Sequence, residues 1–144
     1  MKNQSKPTPM VFMIIAVVAI LWNLAGVGAY LSDMFITPEQ IAKLEPGLQE
    51  LYKNTPMVQK ILYGFGVFGG LLGSICLLRK KSFACTFFLI SLIAVVLQFF
   101  GSIFFTDAIE LLGYQSLILP SLVILIAAFL FFYASFLRKK AVLT

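Results

Sequence analysis

The sequence predicts an all-α fold, a four-helix transmembrane bundle, and three observations carry that expectation. The first is composition. Of 144 residues, 60% are hydrophobic and 12% charged, with a mean hydropathy of +0.98. A soluble domain of this length is roughly half apolar and a quarter charged, and surface-to-volume scaling leaves it too little interior to hide the excess. The second is a set of four apolar runs, at about residues 10–31, 57–78, 82–105 and 116–137. Each matches the roughly 20 helical residues needed to cross a hydrocarbon core. The third is the placement of charge around those runs. Helices follow from hydrogen-bond accounting, because backbone groups in lipid must pair within their own segment and no strand-like alternation suits a β-barrel.

Charge also predicts direction. Arg79, Lys80 and Lys81 separate the second run from the third, Arg138, Lys139 and Lys140 follow the fourth, and Lys2 and Lys6 precede the first. With four spans these places share one side. The other side holds every acid: Asp33, Glu39, Glu45, Glu50, Asp107 and Glu110, with only Lys43, Lys53 and Lys60 as bases. The positive-inside rule then puts both termini in the cytoplasm and the chain in the cell inner (plasma) membrane as a multi-pass protein. The basic clusters sit beside apolar runs without interleaved aromatics, which argues against nucleic acid as a partner. The first run follows two lysines and ends in small residues, AGVGA, as a signal peptide would. It continues to Leu31, however, and so reads as a retained span.

The second run contains YGFGVFGGLLGS, whose first glycines spell G-x-G-x-x-G. A dinucleotide loop would have to follow a strand and be answered by an acid about 20 residues later; the stretch FACTFFLISL offers none. At helical spacing Gly66, Gly70 and Ser74 recur every four residues, as do Gly69 and Gly73. Small residues so spaced let helices approach closely in lipid. They read as packing surfaces, and as a candidate contact between copies of the chain.

Each span carries one stripe with alternating steps of three and four: Ala16, Ala19, Asn23, Gly26 and Tyr30; Gln59, Tyr63, Gly66, Gly70 and Gly73; Ser91, Ala94, Gln98 and Gly101. Ser121, Ile124, Ala128, Phe131 and Ser135 form a weaker fourth. That period favours a left-handed bundle. Asn23, Tyr63 and Gln98 each lie roughly 9–12 Å below the acidic end of their helix at 1.5 Å per residue, and Ser121 at similar depth. The four are expected to meet in one polar layer. It would either join helices by hydrogen bonds or line a small pocket, with Trp22, Lys60 and Asp107 nearby.

The connector at about residues 32–56 contains Thr37-Pro38-Glu39-Gln40, a capped helix start. A second amphipathic piece follows around Leu48, Leu51 and Tyr52, and Thr55-Pro56 is expected to open the second span in the same way. These pieces should lie on headgroups or cap the bundle; a lid over a binding site is the sharper reading. Thr106 or Asp107 is expected to cap a short turn beyond the third span. The inventory for catalysis is poor. There is no His, so no His base or His metal site is expected, and no cofactor is implied. Cys76 and Cys85 flank the basic turn, where a reducing compartment disfavours a disulfide.

The pattern LWNLAGVGAYLSDMFITPEQIAKLEPGLQELYKNTP, then FGVFGGLLG, LLRKK and LPSLVILI, resembles a largely uncharacterised family of small bacterial four-helix integral membrane proteins, sometimes loosely labelled sugar transporters. The layout is also reminiscent of DoxX-like membrane proteins. The resemblance spans nearly the whole chain and implies bacterial inner-membrane residence. The resulting expectation is a single integral membrane domain over 1–144, non-enzymatic, acting as a structural or accessory membrane subunit. The alternatives are a transporter of a small polar, sugar-like solute acting as an oligomer, and a membrane redox accessory using the cysteines. Expected partners are the lipid bilayer and a homo-oligomer or larger membrane complex.

Overall fold

The computed structural model describes residues 9–144, which leaves Lys2 and Lys6 outside the described part. Among the described residues there are helices and no strand. Four helices are long: α1 (Pro9–Met34), α4 (Met57–Leu78), α5 (Phe83–Phe104) and α7 (Ile118–Lys139). Two short ones, α2 (Pro38–Ala42) and α3 (Pro46–Asn54), join α1 to α4; α6 (Ala108–Leu112) and a 3₁₀ turn (Tyr114–Leu117) join α5 to α7. The long four are apolar enough to cross a bilayer, and only 17% to 39% of each one's most apolar stretch is buried within the protein. Much of the remainder, including Leu24, Phe65, Ile93 and Phe132, is exposed and must face lipid. This is a multi-pass membrane protein with a helical-bundle fold.

α4 is the central helix, packed against α1 on one side and α5 on the other, while α5 also packs against α7. Glycine explains that position. A Cβ at Gly66 would stand 2.8 Å from Val95 Cγ1, and one at Gly73 would stand 2.8 Å from the Phe88 ring; at Gly69 the neighbour is the Phe87 carbonyl, at 3.2 Å. All three therefore face α5. Gly70 faces α1 instead, where a Cβ would fall on Asn23 Oδ1. The glycine face is used up inside the chain, so it is not the surface through which two copies would meet.

One end of the bundle is closed. Phe12, Leu77, Phe88, Leu130 and Leu137 form a buried cluster with Ala16, Ala84 and Ala134, whose small side chains let the four helices converge. Arg79, Lys80, Lys81, Arg138, Lys139 and Lys140 gather at this end. α4 and α7 finish alike: Lys80 (φ 57°) and Ala141 (φ 58°) take left-handed conformations, and Lys81 and Val142 donate their N–H back to Cys76 and Leu137 carbonyls. This is a Schellman cap built without glycine. The last residues then tie onto the basic turn. Thr144 N–H donates to the Lys80 carbonyl (3.0 Å), Ser82 N–H donates to that of Thr144 (3.1 Å), and Leu143 is buried. Lys80 Nζ also lies 5.7 Å from the Phe12 ring centroid. The start of α1, the 79–81 turn and the end of α7 thus share one end, as an even number of crossings requires.

The fourth stripe needs correction. α7 buries Ala127, Leu130, Ala134 and Leu137, a face turned by about one residue from the stripe through Ala128 and Phe131. Ser121, at the far end of that stripe, is exposed. The buried face pairs small alanines with leucines, so packing volume rather than polarity sets the register.

At the other, acidic end, Thr37 closes the expected capping box with Gln40: the Gln40 N–H donates to Thr37 Oγ1 (3.2 Å), and the Thr37 N–H to Gln40 Oε1 (3.0 Å). Thr55 behaves differently from its expectation. Its hydroxyl donates to the Leu51 carbonyl, 2.6 Å, ending α3 rather than opening α4. Thr106 likewise donates back to the Ser102 carbonyl, 2.6 Å, and Asp107 precedes α6 without a side-chain cap bond.

Candidate functional site

Above the closed end the helices separate and leave two adjoining cavities. The inner one, the chamber, measures about 330 Å³ and lies between α1, α4, α5 and α7. Its wall is mostly apolar: Val67, Phe88, Val95, Phe99, Val123 and Ile126 dominate, with Phe88 and Leu130 at the boundary with the closed cluster. Ala25, Ala29 and Leu119 line it and are themselves exposed. The chamber therefore opens along the seam between α1 and α7, on surface that faces lipid.

Three of the four residues of the expected polar layer reach this chamber. Asn23, Tyr63 and Gln98 all line it, as does Trp22; Ser121 does not. They do not hydrogen-bond to one another. Asn23 is engaged elsewhere: its Nδ2 donates to the Ala19 carbonyl (2.8 Å) and to Ser74 Oγ (3.1 Å), and Ser74 Oγ donates to the Gly70 carbonyl (2.8 Å). This chain pins α1 to α4 and is a structural bond of the kind worth about 0.6–2 kcal/mol in lipid. Ser91 Oγ pins α5 to α4 in the same manner, donating to the Gly66 carbonyl at 2.6 Å. Tyr63 packs its ring against Tyr30, centroids 5.1 Å apart. Gln98 is half-buried and open to the cavity.

The second cavity, the vestibule, measures about 310 Å³ and lies between the tops of α1, α4 and α5 and the underside of α3. It shares Tyr63, Gln98 and Ser102 with the chamber, so these three form the partition. Leu48, Leu51 and Tyr52 roof it. This roof is tethered, because Tyr52 Oη donates to Asp33 Oδ1 at 2.7 Å. Burial, then the hydrogen bond to Asp33 and the carboxylate's charge, push the Tyr52 hydroxyl up to about 12, so it remains a neutral donor. Close contact of α3 with α6 steadies the same roof: a Cβ at Gly47 would stand 2.8 Å from the Leu111 carbonyl. The connector thus caps the acidic end of the bundle and roofs a cavity there.

Gln59 is the residue that the polar-layer reading missed. It is only 4% exposed, it lines the vestibule, and its Oε1 is buried without a hydrogen-bond partner. Its amide nitrogen lies so close to Gly101 that a Cβ there would fall on it, which explains the glycine on α5. The signal was present in the sequence, since Gln59 is the first member of the second stripe. It stands in the first turn of α4, above the depth at which Asn23, Tyr63 and Gln98 are expected to meet. Of the charged residues expected nearby, Lys60 lines the vestibule, whereas Asp107 lines neither cavity. Cys76 and Cys85 are both free thiols at the closed end, far along α4 and α5 from the partition.

Comparison with family models, with curated proteins and with solved structures yields no match to the chain. The site must be read from its own geometry. A laterally open apolar chamber, bounded by uncommitted amide and hydroxyl groups, has the make-up of a small-molecule pocket.

Proposed function

We propose that this chain is a small, non-enzymatic protein of a bacterial inner membrane that holds a small molecule in the chamber and acts as a binding or accessory subunit. Both termini lie in the cytoplasm, on the strength of the basic residues collected at the closed end. The observation that carries the reading is the Gln59–Tyr63–Gln98 group. Polar side chains inside a membrane protein are costly unless bonded, yet Gln59 Oε1 has no partner and Gln98 faces a cavity. A bound molecule would satisfy Gln98 directly, and Gln59 once its amide turns toward the vestibule it lines. The polar groups around the two cavities are amides, hydroxyls and one Asp–Lys pair, a set suited to recognition rather than to acid–base chemistry.

Mass spectrometry of protein extracted directly into lipid nanodiscs tests this reading. The expected result is a small molecule retained by the folded protein, released on denaturation, and missing from a Val123→Trp variant that fills the chamber. An empty wild-type protein in every extraction would contradict it.

A second reading, transport of a small polar solute, draws support from the vestibule, which opens toward the acidic end and contains Asp33 and Lys60. It requires a route through the closed end, where Leu77 and Leu137 are fully buried and Phe88 nearly so. Uptake into proteoliposomes that disappears in Gln98→Leu would favour it over the first.

A further inference from the structure

The two cavities differ in chemistry, and the difference identifies a class of ligand. The chamber wall contains no Asp, Glu, Lys or Arg and is overwhelmingly apolar. A sugar or other polyol placed there would leave most of its hydroxyls unpaired, each at the cost of its lost hydration. An alkyl or isoprenoid tail fits without such cost, and the seam between α1 and α7 admits it directly from the bilayer. The vestibule is the reverse. It is lined by the amides of Gln59 and Gln98 and the hydroxyl of Tyr63, with Asp33 and Lys60 contributing one charge of each sign.

On the reading that the chamber binds a ligand, we infer that the ligand is an uncharged single-tailed amphiphile. Its tail occupies the chamber, and its hydroxyl-bearing headgroup occupies the vestibule against Gln59 and Gln98. Gln59 Oε1 is the most informative atom. An acceptor buried with no donor, on a side chain that lines the vestibule, gains a partner when its amide turns toward a headgroup N–H or O–H there. Tyr63 and Gln98 line both cavities, so a molecule crossing the partition meets its hydrogen-bonding groups where headgroup gives way to tail. The headgroup is neutral for two reasons. The opposite charges of Asp33 and Lys60 leave the vestibule without net charge, so neither sign of ion is favoured overall. The partition offers only uncharged dipoles, and an ion drawn against them is desolvated without a counter-charge. The roof over the vestibule, tethered by Tyr52 to Asp33, limits headgroup size more than tail length.

The probe is a monoacylglycerol with a diazirine in mid-chain, offered to the full-length protein in phosphatidylcholine vesicles. Two comparators carry the same tail, one ending in a free carboxylate and the other in phosphocholine. The expected result is photolabelling of α1 and α7 around Ala25 and Val123, displaced by unlabelled monoacylglycerol, with the two comparators at least fivefold weaker. Gln98→Leu should lower labelling by the probe about fivefold and the Gln59→Leu, Gln98→Leu pair about 25-fold, as expected of one and of two neutral hydrogen bonds. Gln98→Leu alone decides the matter if the pair fails to fold, because its half-buried amide is not part of the interhelical pins. Equal or better labelling by the carboxylate, or labelling indifferent to Gln98, overturns the headgroup assignment while leaving chamber binding intact. If no tailed probe labels the chamber at all, both this inference and the binding reading fall.

Discussion

The two ends of this bundle are built from the same four helices and differ in what lies between α1 and α7. At the basic end, Ala16, Ala84 and Ala134 let the helices converge until Leu77 and Leu137 are fully buried. Toward the acidic end, Ala25 and Ala29 stand opposite Leu119, Pro120 and Val123 across about 330 Å³ of space. Small residues do opposite things at the two ends. Where a partner helix fills the space they leave, they close the bundle; where none does, they make a chamber. Residue size alone does not decide between these outcomes. The deciding factor is whether the neighbour is held, and at the basic end the C-terminal residues hold it by pairing with the 79–82 turn.

Substitutions should separate the two halves, and the largest effect is expected at the glycine face. Gly73→Leu drives a side chain into the Phe88 ring and should prevent recovery of a monodisperse protein in detergent, since neither backbone can yield. Next is Leu137→Ala, which opens a void in the closed cluster. A loss of about 2–4 kcal/mol is expected in a denaturation assay, whereas Val123→Ala in the chamber wall should cost less than about 0.5 kcal/mol. If both cost the same, the ends are packed alike and the contrast fails. Asn23→Ala removes the α1–α4 pin and should cost about 1 kcal/mol; Gln98→Leu should leave stability unchanged, because its amide bonds nothing in the protein.

Two smaller effects sharpen the picture at the bundle's extremities. Tyr52 should titrate near 12, and replacing Asp33 by Asn should move it toward the ordinary value of 10, read by ultraviolet absorbance of difference spectra against Tyr52→Phe. The raised value means that the tether contributes fully below about pH 10 and is lost as pH rises through 12. Lys80→Gly relieves a left-handed non-glycine cap and should stabilise the closed end by up to about 1 kcal/mol, visible as a small rise in melting temperature. No gain would mean that the Lys80 side chain, set over Phe12, contributes as much as its backbone costs.

Much of this contrast was legible in the sequence, and the limits have physical causes. The four spans follow from the demand that backbone groups pair inside lipid, and their ends were placed within a few residues. Stripes on α1, α4 and α5 were legible because glycine, asparagine and glutamine are conspicuous in an apolar helix. The stripe on α7 was not: with Leu, Ile, Phe and Ala around its whole circumference, polarity gives no register, and Ser121 and Ser135 drew the expected face about one residue away from Ala127 and Ala134. Gln98 and Tyr63 could be found by depth and period. Gln59 sits in the first turn of α4, where its packing against Gly101 and the folding back of α3 over that turn take it out of water. The vestibule depends on this fold-back, a long-range contact that no local pattern encodes.

The most direct test of a bundle sealed at one end and hollow at the other uses single cysteines in a Cys76→Ser, Cys85→Ser background, reconstituted in vesicles and spin-labelled. The account predicts that a label at Gln98→Cys is accessible to a water-soluble relaxation agent from the acidic side and that one at Val123→Cys is accessible to oxygen from the lipid. A label at Leu77→Cys should be reached by neither. Equal protection of all three positions would contradict it, for the chamber and the vestibule would then not exist in the membrane.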